Sequence, residues 1–218
     1  APFPSSKADA GYNQMMFDRI TRSIEIAGML GVKIIVVHPM HHLPYDENAA
    51  ELKAMNMDFY HSLAPYAKAA GVRIALENMW QRAADKKTLV PSACSRTREF
   101  VDWLADDTFT ACLDLGHCGL YGFDAAEMIK GLGKERLGAL HVHDNDYQSD
   151  MHTIPFLGKM HWDTITDALV QIGYTGDLTL EADNFYTPFC EELAPAAAKM
   201  LAAVGRRLIA MIEEKRRG

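Results

Sequence analysis

Five short apolar runs in this chain each close on a residue able to hold a metal ion or move a proton. They are residues 32–38 (VKIIVVH), 72–77 (VRIALE), 109–114 (FTACLD), 137–143 (LGALHVH) and 177–181 (DLTLE), ending in His38, Glu77, Asp114, His143 and Glu181. Nearly continuous apolar character over so few residues predicts strands buried on both faces, as in a parallel sheet. Amphipathic stretches between them predict helices over 12–30, 49–70, 96–105, 125–132, 162–172 and 191–215. Gly31, Gly71 and Gly173 stand where helices must stop before the next strand. Strand followed by helix, with no hairpin signal, predicts right-handed βα units.

The spacing of the strand ends bounds the architecture. They lie 39, 37, 29 and 38 residues apart. Eight units of that length make a (β/α)8 barrel of roughly 290 residues, whereas this chain has 218. Two arrangements satisfy this count: an open five-stranded sheet, or a barrel without its first three units. In either, the carboxyl ends of the strands face the ligand site. A buried strand that ends in Glu, Asp or His loses stability unless that group is paired or ligated, and here all five do so.

Composition narrows the class. The chain is 49% hydrophobic and 23% charged, which predicts one globular domain over 1–218 with no membrane span. Its net charge of −7 opposes attraction to nucleic acid or anionic lipid. Residues 1–12 lack the layout of a signal peptide. Cys94, Cys112, Cys118 and Cys190 form no CxxC pair and are too sparse for a disulfide framework. A cytoplasmic location is expected.

Glu77, Asp114, His143 and Glu181 offer three carboxylates and one imidazole. That donor set suits one divalent ion, Mn²⁺ first, with Mg²⁺, Co²⁺ or Zn²⁺ as alternatives. The slightly anionic centre favours a neutral polyol or keto-sugar. A carbonyl held there is polarised toward an enediolate, and Glu77 and Glu181 are placed to exchange a carbon-bound proton as base and acid.

The motifs GVKIIVVHP, IALEN, ACLDLGH, LHVHDND followed by SDMHTIPFLGK, and YTGDLTLEAD resemble the sugar-phosphate isomerase/epimerase family. These are xylose-isomerase-like (β/α)8 TIM barrels, a group that includes endonuclease IV and the ketose 3-epimerases. The resemblance runs from about Ala1 into the C-terminal helix. It implies a metal on Glu77, Asp114, His143 and Glu181, with the two glutamates on opposite faces of the substrate carbon. It also implies that His117 touches the substrate or a second metal. The His-Pro strand matches the family's fourth and the TLE strand its eighth. The expectation is therefore an N-terminally truncated barrel, with homo-oligomerisation or a partner segment covering the open edges. Two positions depart from the family. Ser149 stands where ketose 3-epimerases carry arginine, and Met160 replaces the second glycine of a G-x-G.

Other residues have two readings each. His38 is a substrate or second-metal contact, or a hydrogen-bonded rim residue. Trp80 is the apolar wall of a sugar pocket, or core. Asp150 and His152 form a D-x-H pair that binds a second metal, contacts the sugar, or orders its loop. His141 orients His143 or packs in the core, and Asp144 and Asp146 cap the strand or hold neighbours. His41 and His42 read as solvated loop residues; His61 and His161 read as structural or surface.

The function expected is a metal-dependent isomerase or epimerase of a small carbohydrate, sugar phosphate or cyclitol. A lyase or dehydratase using the same enolate is the alternative within that chemistry. An endonuclease IV-like phosphodiesterase and an inactive barrel fragment stand further off.

Overall fold

The computed structural model describes residues 10–40, 45–82, 89–91 and 97–218. The chain packs as two compact units, Ala1–Cys112 and Leu113–Gly218. His41, His42 and Cys94 lie outside the described residues.

The first unit contains α1 (Ala10–Met29), β1 (Ile34–Val37), α2 (Tyr45–Ala70), β2 (Arg73–Glu77), β3 (Trp80–Arg82), β4 (Leu89–Pro91), α3 (Thr97–Leu104) and most of β5 (Phe109–Asp114). Strands β1, β2 and β5 run parallel, with Ile35 opposite Ile74 and Leu76 opposite Ala111. Ile24, Leu52, Tyr60, Leu63, Ile74, Leu76, Phe100 and Phe109 are buried together. Each such side chain removed from water contributes about 1.5–3 kcal/mol before entropy is counted. Gly31 and Gly71 end α1 and α2 at φ of 74° and 66°. There the Val32 and Val72 amides reach back to the Ala27 and Ala67 carbonyls and turn the chain into a strand. Buried Asn56 bonds both Met40 N–H and Met40 C=O, tying the exit of β1 to α2.

The second unit holds the end of β5, then α4 (Leu115–Leu120), α5 (Ala125–Arg136), β6 (Leu137–Val142), α6 (Trp162–Gln171), β7 (Thr179–Leu180), α7 (Asp183–Tyr186) and α8 (Ala194–Arg217). Strands β6 and β7 are parallel, with His141 opposite Thr179. Helix α6 packs on both α5 and α8, burying Ile129, Leu132, Trp162, Ile165, Leu169 and Leu208.

All five expected strands are present, somewhat trimmed. The antiparallel pair β3–β4 corrects the expectation of no hairpin. Helices α4 and α7 were also not expected. At six and four residues, they are too short for periodicity to show. Helix α5 runs four residues past its expected end, through a break at Gly133, whose φ is 66°. Among the described residues no helix is long and apolar enough to cross a membrane.

Candidate metal centre

Two of the strand-end residues, Asp114 and Glu181, meet His141 in the second unit. Asp114 closes β5 and caps α4, its Oδ1 accepting the His117 amide at 2.8 Å. His141 lies within β6, and its Nδ1 is 2.9 Å from Glu181 Oε2 and 4.0 Å from Asp114 Oδ2. Glu181 follows β7, held there by its amide bonding the Val142 carbonyl at 3.1 Å. One ligand atom from each of Asp114, His141 and Glu181 falls within 4.8 Å of the others. Asp114 is fully buried, and the buried Glu181 Oε2 accepts no hydrogen bond. Converging carboxylate and imidazole donors, one oxygen of them buried without a proton donor, fit a divalent cation.

His143 is the imidazole expected of the metal site; the structure sets His141 beside Asp114 and Glu181 and places His143 against Asp114 as well. Residues 141 and 143 share one face of a strand, so spacing did not distinguish them. His143 is fully buried, with Nε2 at 2.9 and 3.1 Å from the two Asp114 oxygens. The His143 ring lies against Gly116, where an added Cβ would sit 2.0 Å from its Cε1.

His143 also belongs to a second group with His117, Asp150 and His152, whose ligand atoms again lie within 4.8 Å of one another. Asp150 sits between two imidazoles, 3.5 Å from His117 Nε2 and 3.3 Å from His152 Nε2. Burial raises the pKa of its carboxyl, but the two imidazoles outweigh this and hold it well below the ordinary carboxylate range. Asp150 in turn pushes the His152 imidazole up to about 9, against its burial. His152 Nδ1 bonds the Glu181 carbonyl at 2.9 Å, which links the two groups.

In the first unit, His38 Nε2 lies 3.0 Å from Glu77 Oε2, with Glu77 buried and His38 half-buried. Trp80 opens β3 and is half-buried. Asp146 caps the turn at Gln148 and Ser149, and Met160 is buried with its amide on Asp144. His61 packs against Phe109 near the Leu104 carbonyl. His161 precedes α6 without a side-chain cap.

Among solved structures the chain resembles a D-tagatose 3-epimerase-like protein, with a TM-score of 0.74 at 23% identity over 99% of this chain and 77% of that one. It also resembles an IolI protein with a bound zinc atom, with a TM-score of 0.72 at 20% identity over 97% and 74%. An L-ribulose 3-epimerase follows with a TM-score of 0.70 at 20% identity, covering 99% and 74%. At such identities the likeness establishes the fold. Curated relatives include uncharacterized proteins of Methanocaldococcus jannaschii, 26% identical over 76% of this chain, and Mycobacterium leprae, 27% identical over 76%. The chain spans 56% and 61% of their respective lengths. Residues 3–204 match the family described as xylose isomerase-like TIM barrel, and the chain belongs to that family.

Proposed function

We propose that this protein is a divalent-metal-dependent isomerase or epimerase of a small carbohydrate, sugar phosphate or cyclitol. The observation that carries the reading is the convergence of Asp114, His141 and Glu181 at the ends of β5, β6 and β7, with Glu181 Oε2 buried and accepting no hydrogen bond. Such residues hold Mn²⁺, Mg²⁺, Co²⁺ or Zn²⁺. Glu77 enters as the fourth ligand from its position at the end of β2 and from the family's strand-end pattern. His141 supplies the imidazole, since its Nδ1 lies with the Asp114 and Glu181 oxygens; His143, the ligand expected from the family motif, is the alternative. A bound dication supplies Lewis-acid polarisation of a substrate carbonyl.

The chain's own residues then move the proton. Glu77 and Glu181 act as base and acid on the carbon beside the carbonyl. His38, 3.0 Å from Glu77 Oε2, orients that carboxylate. His117, Trp80, Asp150 and His152 contact the substrate. If the same abstraction is followed by loss of a β-leaving group, the enzyme is a lyase; product analysis separates the two. Names of the similar structures, among them a 3-keto-D-glucoside 4-epimerase, support epimerisation.

A second reading has one observation in its favour. The group formed by His117, His143, Asp150 and His152 suits a second metal, as phosphodiester hydrolysis requires. The net charge of −7 weighs against a nucleic-acid substrate. We further propose that strands beyond the five parallel ones, from the same protein or another copy, complete the barrel, and that the protein is cytoplasmic.

The test is metal content per chain by plasma mass spectrometry, followed by solvent deuterium uptake into keto-sugars. One ion per chain, lost in Asp114→Ala, together with deuterium incorporation, supports the isomerase. Two or three zinc ions with phosphodiesterase turnover support the second reading. No ion in the metal-supplemented protein overturns both.

A further inference from the structure

The loop that carries Asp150 and His152 is wound around one buried carboxylate. Asp144, fully buried just beyond β6, accepts four N–H donors. Its Oδ1 takes the Asn145 amide at 2.9 Å and the Met160 amide at 3.0 Å. Its Oδ2 takes the Phe156 amide at 2.9 Å and the Trp162 indole N–H at 2.7 Å. The Asp144 backbone is tied to Thr153 in both directions. Gly158 passes so close that an added Cβ would stand 2.3 Å from Asp144 Oδ1.

The same loop is strained. Tyr147, His152 and Phe156 have φ of 64°, 44° and 74°, in the left-handed region that disfavours residues with a Cβ. Such conformations persist only where the surroundings over-determine them. One of the three is His152 itself. Its ring stacks on His143 at a centroid distance of 4.1 Å, and its Nδ1 holds the Glu181 carbonyl.

We propose that Asp144 is a positioning residue, whose carboxylate holds the strained loop 145–160 so that Asp150 and His152 are presented to His117, His143 and Glu181. An amide cannot replace it, because its NH₂ would face two of the four donors. The importance of this for turnover rests on the metal reading, whereas the geometry does not.

The test uses the full chain, metal-free in chelator, so that failure of the metal reading leaves it intact. NMR records two ring-proton contacts, His143 with His152 and His117 with His143, in the wild type and in Asp144→Asn. His117 and His143 are off the loop, on α4 and just after β6. Expected is a folded variant that loses the His143–His152 contact and keeps the His117–His143 contact, with amide exchange over 145–160 faster by at least about tenfold. Retention of both contacts overturns the proposal. Loss of both in a folded variant also overturns it, since the role would then be general packing. Gly158→Ala, which pushes on the same oxygen, is expected to repeat the selective loss. If neither variant folds, amide exchange in the wild type decides. Slow exchange at Phe156 and Met160 sustains the proposal, and exchange at free-loop rates overturns it.

Discussion

The imidazole of His143 lies flat on that of His152, with ring planes 7° apart, and its Cε1 stands where a Cβ on Gly116 would fall, 2.0 Å away. Stacking on His152, contact with Gly116 and the Nε2 bond to Asp114 together hold the ring in place. Gly116→Ala must therefore displace it. The expected cost is about 1–3 kcal/mol, read as a lower urea midpoint with unchanged m-value. A midpoint equal to wild type would show that His143 moves freely.

His141 and His143 should differ as metal partners. His141→Ala removes a ligand and is expected to abolish tight binding. His143→Ala leaves the ligands but removes one of the groups that hold Asp114, and is expected to weaken binding by about 10–100-fold. Isothermal titration with Mn²⁺ or Co²⁺ measures both. The reverse order would return the ligand role to His143.

Glu181→Gln should keep the fold and part of the metal affinity but lose proton exchange. The check is solvent deuterium uptake into the true substrate. Full uptake by the variant would remove Glu181 from the chemistry.

The Asp150–His152 pair sets a pH dependence in the metal-free protein. His152 is raised to about 9 from 6.5, so its contribution is whole below pH 6.5 and is lost as pH rises through 9. Asp150 is lowered, so its contribution is present above about pH 4 and lost as the solution is made more acid. His152 is partly exposed, and screening reduces its share to about 1 kcal/mol. Urea melts at pH 6, 8 and 10 should show wild type weakening toward pH 10 relative to Asp150→Asn. Parallel curves would rule out the pair as the source.

Asn56→Ala should destabilise the first unit by about 2–3 kcal/mol. It removes partners from the buried Met40 N–H and C=O and leaves a void. Thermal melting would show the loss; a change below about 0.5 kcal/mol would mean that water replaces the amide.

Much of the fold was legible in the sequence. The strands around Ile34, Ile74, Cys112, Leu140 and Thr179 follow from apolar, β-branched runs, and the ends of α1 and α2 from Gly31 and Gly71. The β3–β4 pair was not legible, because Trp80–Arg82 carries no alternating pattern long enough to show. Asp114 and Glu181 stand out in the sequence because each closes an apolar run on a carboxylate, although Asp114 also serves as the N-cap of α4.

The choice between His141 and His143 lay beyond any one-dimensional pattern, since alternation puts both on one face. The tertiary structure gives them different surroundings: Gly116 leaves room for the His143 ring beside Asp114, and Glu181 approaches His141 from β7. The shape of loop 145–160 was likewise hidden. The sequence determined which residues able to bind a metal stand at the strand ends, because local pattern defines strands. The structure decided which of them converge, because convergence depends on contacts between residues distant in the chain.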